Sequence, residues 1–350
     1  MTGTVQFGLH TFGDITVDKN GQKLHDAEVL RNVVAEGVHA DQVGLDFFGI
    51  GEHHRDDFAV SSPEVVLAAI ATQTAQIRLG TAVTVLSSDD PVRAYQRFAT
   101  LDAVSNGRAE AILGRGSFTE SFPLFGYPLH QYEELFSEKL ELFTLLRHEK
   151  PVTFNGRLRP SLTEQRVYPR TQNAPIPTWV GIGGNPESVV RAARFGLPLM
   201  MAIIGGESHR FRPLVDLYYR SLADYGHERL PVGVHSPGHI AETDEEALTQ
   251  LWPHWQAIYN RIGRERGWAP VTHHDFMAAA GPTGALYVGS PETVARKIAN
   301  TVTTLSLTRF DMKYSSATLP HELMLNSINL YGTKVAPLVR EMVAAAQPVG

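Results

Sequence analysis

Short apolar runs alternate with segments of helical period along almost all of the 350-residue chain. No other feature restricts the fold as much. Repeated strand–helix units bury their strands on both faces and so build a parallel sheet with helices outside it. The first run is VQFGLH (5–10), followed by a helix from Leu24 to Val43 with Leu30, Val33, Val34 and Val38 on one face. GLDFFGIGEHH (44–54) is a strand running into a loop, and Ser62-Pro63 opens the next helix as N-cap and first residue. IRLGTAVTVL (77–86) is β-branched, Pro91 starts a helix that stops at Asn106-Gly107, and RAEAILGRG (108–116) is a fourth strand.

After a helix over Glu133–His148, the Pro-, Arg- and Thr-rich stretch 151–178 is expected to be an excursion holding a short hairpin. The alternation then resumes with IPTWVGIGG (176–184), a helix from Asn185-Pro186 to Phe195-Gly196, LPLMMAII (197–204), a helix over 207–225, and LPVGVHSPGHI (230–240). Thr243 with Glu246 forms a capping box for a helix through Ile262. Residues 268–284 have no clear period and are expected to be a long mobile loop. Ser290-Pro291 caps a further helix, LTRFDMKYS (307–315) is the last strand, and the end from Leu319 is helical. About eight units fit one closed (β/α)8 TIM barrel with insertion segments over 1–350, although the same pattern fits an open sheet of nine strands.

Composition narrows the chemistry. With no cysteine, thiolate catalysis, disulfides and cysteine-held iron–sulfur clusters are excluded. The net charge of −6 comes with no basic stripe, which argues against nucleic acid. The first residues, MTGTVQFGLHTFGD, lack a basic region followed by an apolar run, and no apolar run reaches the roughly 18 residues of a membrane helix. A cytoplasmic enzyme with no membrane partner is the expectation.

In such a barrel the chemistry lies just after each strand. Gly51-Glu52-His53-His54-Arg55 follows strand two, and adjacent histidines there suit proton transfer or a metal, or simply a polar loop. Gly80-Thr81-Ala82-Val83 places small residues where a flat ligand could approach the backbone, or is only a buried strand. Gly114-Arg115-Gly116 sets a guanidinium between open turns, as a phosphate needs, or a rim salt bridge. Gly181-Ile182-Gly183-Gly184-Asn185-Pro186-Glu187-Ser188 is a glycine-rich turn into a helix, whose free N–H groups attract anions. Here Asn185 also reads as an ordinary N-cap. Pro186 stands where a dinucleotide fingerprint needs its third glycine, and no P-loop occurs. Arg115 and the 183–188 turn together suit one terminal phosphomonoester, the group that flavin mononucleotide carries beside a large flat ring.

Residues 51–117, with E-H-H, G-T-A-x-x-V-L, D-P-V-R, S-x-G-R and G-R-G in that order, closely resemble the bacterial-luciferase-like (LLM class) flavin-dependent monooxygenases and oxidoreductases, in their FMN-type subgroup. GGNPESVVRAARFGLPLM (183–200) and VGSPETVARKIA (288–299) extend the resemblance over most of the chain. It implies a barrel binding FMN, or alternatively a deazaflavin coenzyme. It implies His53 as the catalytic histidine beside the flavin, with His54 as its neighbour. It implies Thr81, Ala82 and Val83 under the ring, the last two joined by a cis peptide, and Arg115, Gly183, Gly184, Asn185 and Ser188 at the phosphate. Met201 and Ala202 should flank the ring edge. The family's reactive cysteine is absent and Val83 replaces an alanine, which argues against light emission.

The expected activity is oxidation of a small organic substrate with reduced FMN and oxygen. A separate NAD(P)H flavin reductase is the expected source of reduced flavin, and a homodimer through the helices after strands two and three is the expected assembly. The rivals are deazaflavin-dependent hydride transfer, a non-catalytic flavin-binding protein, and a metal-dependent barrel hydrolase drawing on His10, His53, His235, His239 and Asp311. No dense ligand spacing supports the last.

Overall fold

The structure, a computed structural model, describes residues 4–18 and 20–346. Eight parallel strands close on themselves: β1 (Gln6–Thr11), β2 (Phe47–Ile50), β3 (Arg78–Thr81), β4 (Ala109–Gly114), β5 (Thr178–Ile182), β6 (Leu199–Ala202), β7 (Val232–Ile240) and β8 (Arg309–Lys313). Closure is made by β8 against β1, in register from Gln6 opposite Arg309 to His10 opposite Lys313. The barrel is therefore closed, and the open sheet is ruled out. The strand-to-strand crossings run through α1 (Asp26–Gln42), α2 (Pro63–Ala71), α3 (Pro91–Val104), α4 (Tyr132–Leu146), α5 (Pro186–Arg194), α6 (Arg212–Asp224), α7 (Asp244–Arg266) and α8 (Pro291–Leu305). Among the described residues, no helix is long and apolar enough to cross a membrane.

Strand parity divides the side chains. Phe7, Leu9, Phe48, Ile50, Leu79, Leu113, Val180, Met201 and Phe310 face the helices and form the main core. Phe47, Ile112, Trp179 and Met200 point into the barrel and pack there with Val83. Glycines make room for them. A Cβ on Gly80 would lie 2.3 Å from the Glu110 carbonyl oxygen and 2.9 Å from the Phe47 ring. Beside this apolar cluster sits Arg309, 1% exposed. Its Nε donates to both oxygens of Asp311 at 2.9 Å, Nη1 pairs with Glu110, and the guanidinium lies 3.7 Å from the Phe47 ring centre.

Several motifs turn out to build the scaffold. Ser105-Asn106-Gly107-Arg108 lies before β4, at the N-terminal end of the strands. Asn106 and Gly107 both take left-handed backbone (φ 58° and 80°), and this turn aims Arg108 at the carbonyls of Ala71, Thr74, Ile77 and Ser105 (2.7–3.0 Å). Asp90 caps α3 by accepting from Val92 and Arg93, and also takes Arg159 at 2.8 Å.

Local differences from the sequence expectation have clear causes. The excursion does contain a hairpin, Val152–Phe154 against Leu162–Gln165. Residues 268–284 are not a structureless loop: Thr272 and Asp275 form a full capping box that starts a helix, His273–Ala280, and Phe276 packs on Trp252 and Trp255. Buried Lys297 donates to the carbonyls of Ala280 (3.1 Å) and Leu286 (2.7 Å), tying that segment to α8. Ser62 precedes α2 without making a side-chain cap. Thr243 accepts from the Glu246 N–H, but the Glu246 carboxylate turns to Gln250, so only half the box forms, and α7 runs on to Arg266. The short strands Thr84–Val85 and Tyr287–Gly289 and the helix Ser121–Phe125 carry too few residues to show a period.

Because Arg309 neutralises two buried carboxylates, its removal should be costly. Arg309→Met is expected to lose about 3–5 kcal/mol of unfolding free energy, the usual penalty of stranding buried charge. Urea denaturation checks this, and a loss below about 1 kcal/mol would show that the cluster is not a unit.

Candidate active site

The strand ends on the C-terminal side gather most of the residues singled out in the sequence. After β3 the chain turns sharply, and the Ala82–Val83 peptide is cis. Thr81 is buried, donating from Oγ1 to the Ile112 carbonyl (3.3 Å) and accepting from Thr84 Oγ1 (2.9 Å). Val83 folds over two glycines. A Cβ on Gly114 or Gly181 would come within 2.6 or 2.7 Å of its methyl groups. Ala82 and Val83 thus make a small, flat bed inside the barrel mouth, and only glycine at 114 and 181 permits it. Glu52 accepts from the Val85 N–H at 2.7 Å, fixing the segment beyond the bed. Burial, with Asp89 and Glu64 nearby, pushes the Glu52 carboxyl up to about 7.

His53 stands in an aromatic cage. Its ring centre is 4.4 Å from Phe12, 4.6 Å from Phe58 and 4.7 Å from Phe118. Phe12 also fills the space in front of Gly51, next to the Ala82 carbonyl, so one side chain separates His53 from the bed. Burial pushes the His53 imidazole down to about 3. At neutral pH it is an uncharged ring with one N–H and one lone pair, able to pass a hydrogen bond but not to supply a standing positive charge. His54 turns away, its ring edge-on to Phe125 at 5.1 Å and its Nε2 4.0 Å from Glu52. The cage is clasped from outside by Arg55, which donates to Asp57, Glu120 and Glu265 and covers Phe118. Phe12, Phe118, Glu120, Phe125 and Glu265 carry no local sequence signal, because they come from segments distant from His53, whereas Asp57 and Phe58 lie just beyond it.

A second cluster lies at the ends of β4 and β5. Arg115 and Arg191 converge on Glu133, with Arg191 at 2.8 Å. Glu133 was not foreseen, since it comes from α4. Gly184 takes φ 109°, and a Cβ on Gly183 would meet nothing within 4 Å, so the turn into α5 leaves open backbone. Asn185 caps α5 by accepting from Glu187 N at 2.8 Å, the ordinary role. Ser188 Oγ and Arg191 Nη1 are buried with no partner in the protein. Two guanidinium groups, an orphaned hydroxyl and a helix N-terminus fit one phosphomonoester. Beyond them runs a groove of about 400 Å³ lined by Glu133, Glu134, Glu138 and Glu141 with Arg191 and Arg194.

Strand parity corrects the expectation at β6. Met201 points outward into the sheet–helix core, whereas Met200 is the one inside the barrel. Ala202 pairs with His235 of β7 at the inner rim. The residues of the metal reading do not all converge. His10, His235 and Asp311 meet on the barrel axis, but His239 bonds Gln250 farther along β7. Among the described residues no group of three or more potential ligands could hold a metal ion.

Comparison with known proteins gives a consistent picture. The family profile described as luciferase-like monooxygenase matches residues 7–308. An uncharacterized protein, y4vJ, of Sinorhizobium fredii is 30% identical over 54% of each chain, so the match spans about half of that relative. The alkanal monooxygenase alpha chain of the Kryptophanaron alfredi symbiont is 24% identical over 71% of each. In fold, monooxygenase RslO1 from Streptomyces bottropensis superposes with a TM-score of 0.82 at 21% identity, covering 95% of this chain and 99% of that one. The oxygenating constituent of 3,6-diketocamphane monooxygenase from Pseudomonas putida, solved with FMN, gives 0.74 at 18%, covering 95% and 98%. An F420-dependent secondary alcohol dehydrogenase gives 0.73 at 16%, covering 96% and 99%.

The burial of His53 has a measurable consequence. Its imidazole titrates near 6.5 when unfolded and about 3 when folded, so between those values the unfolded chain holds more protons and stability falls as pH falls. Wild type is expected to lose stability relative to His53→Phe as pH drops from about 6.5 towards 3, measured by denaturant titration at several pH values. Parallel pH dependence would show that His53 is not held uncharged in the fold.

Proposed function

This chain belongs to the luciferase-like monooxygenase family, and from that premise we propose that it is an FMN-dependent monooxygenase acting on a small organic substrate. The observation that carries the reading is the phosphate cradle, in which Ser188 Oγ in the first turn of α5 and Arg191 Nη1 are buried and unpartnered, while Arg191 and Arg115 meet at Glu133. Arg115, Arg191, Ser188 and the open backbone of Gly183-Gly184 would hold the phosphate, with the ring on the Ala82–Val83 bed. When bound and reduced, FMN supplies the electrons that activate oxygen.

The chain's own residues do the rest. Phe12, Phe58 and Phe118 pack around His53, whose uncharged ring holds or passes one proton at an imidazole nitrogen. Glu52 pins Val85 and so steadies the bed. The choice of FMN rests on the fit of the cradle to one terminal phosphomonoester. The lack of a dinucleotide fingerprint favours a separate NAD(P)H flavin reductase as source of reduced flavin. A second copy of the chain is the proposed partner for α2 and α3, where Val65 and Val104 are exposed.

Absorption titration of the purified chain with FMN, beside a deazaflavin coenzyme, tests the cofactor. Tight binding with perturbed flavin bands is expected for FMN alone, and a preference for the deazaflavin would overturn the choice. Arg115→Ala should weaken FMN by about 10-fold to 100-fold, the loss of a charge-assisted pair. Unchanged affinity would defeat the phosphate assignment. His53→Asn should leave FMN affinity within about threefold but lower turnover in a reductase-coupled, oxygen-consuming assay by 100-fold or more, on the order of general acid–base contributions.

A further inference from the structure

On the barrel axis, opposite the phosphate cradle, lies a polar site that the flavin reading leaves unused. The cradle is on β4 and β5, whereas β1, β7 and β8 form the far wall. From that wall His10 and His235 bring their rings to 4.5 Å, and both are at least nine-tenths buried, at 1% and 9% exposure. His10 Nε2 lies 2.8 Å from Asp311 Oδ2. Although burial pushes the Asp311 carboxyl up, Arg309 and His10 hold it down at about 2. It is therefore an acceptor only, and Nε2 must carry the hydrogen. A ring that carries that one hydrogen has its lone pair at Nδ1. That nitrogen and His235 Nε2 are both buried without a partner. Burial holds His235 well below the usual imidazole range.

Two nitrogens buried this deeply need a hydrogen-bond partner that the protein does not supply. A metal does not suit them, because Arg309 Nε and Nη2 already occupy Asp311. A Cβ on Gly49 would lie 2.9 Å from both His10 Cδ2 and Ala82 Cβ, so the His10 ring edge packs close beside the bed. Lys313 stands nearby but is engaged by Asp14 and Ser315.

We propose that His10, oriented by Asp311, and His235 form a substrate subsite for an acidic hydroxyl, a phenol or enol, with His10 as its base. The substrate O–H bond breaks, its proton passes to His10 Nδ1, and the electron pair stays on oxygen as phenolate or enolate. The resulting imidazolium faces the Asp311 carboxylate, and His235 Nε2 offers the second polar contact. This deepens the flavin reading, from which it takes only that a substrate shares the barrel mouth with the ring.

The test uses the full chain, with and without FMN, and two probes. These are 4-nitrophenol, whose colour reports its ionisation, and 4-nitroanisole, which has the same ring and no O–H. Bound 4-nitrophenol should be ionised at a pH where the free probe is not. His10→Gln and His235→Gln should each weaken it by about 10-fold, the loss of one hydrogen bond to a charged group, and leave FMN and 4-nitroanisole binding unchanged. A bound probe that stays un-ionised, or variants that bind it like wild type, would overturn the proposal. Nitrogen-15 NMR of the wild-type imidazoles gives the answer without a variant, since His10 Nδ1 should gain a hydrogen on adding 4-nitrophenol. An unaltered Nδ1 refutes it. A chain that ionises the probe but does not take up FMN would sink the flavin reading and keep the subsite. The reverse result would do the opposite.

Discussion

The barrel depends on one buried ion cluster. Arg309 reaches across the interior to Glu110, a partner 199 residues away, and folds back on Asp311. Each partner alone would be an expensive charge in an apolar interior. Together with the Phe47 and Trp179 rings they fill the lower barrel and neutralise one another. The cluster also reaches upward, since Asp311 is the residue that orients His10. The scaffold's electrostatics and the chemistry at its mouth are thus one continuous chain of contacts from Glu110 to His10.

Two sites of opposite character sit on that floor. One is cationic, built where β4 and β5 end and α5 begins, and suits a phosphate. The other is nearly uncharged at neutral pH, with His53 in its cage of phenylalanines and Val83 lying over bare glycines. Between them the Ala82–Val83 bed is shaped by absent side chains, at Gly114 and Gly181 in particular. A polar anchor at one end and an apolar bed at the other is the division that a flat ring with a charged tail requires.

Much of this was legible in the sequence. The strand–helix alternation and its count lead to the closed barrel, and glycines flanking Arg115 and preceding Ser188 mark the cationic end of the mouth. His10, His235 and Asp311 were visible as residues at strand ends, but not as neighbours. Register and closure bring them together, and those are set by the whole barrel. Parity at β6 failed for a similar reason: in an unbroken apolar run such as LPLMM nothing local says which methionine faces inward. Phe12 and Phe118 of the cage around His53, and the carboxylate of Glu133, come from distant segments. The helix over His273–Ala280 was hidden because its period is only two turns long, although its Thr-Asp cap was in plain view.

Glu133 decides how the cradle is occupied before any ligand reaches it. Arg115 and Arg191 are never bare, because this half-exposed carboxylate already stands between them. Capturing a phosphate there is an exchange of one anion for another, and the outgoing carboxylate returns to water at little cost. The arginines stay pointed at a common centre throughout, so no side chain has to be collected at the moment of capture. The same exchange run backwards eases departure. A cradle with such a placeholder suits a ligand that comes and goes rather than one held for good.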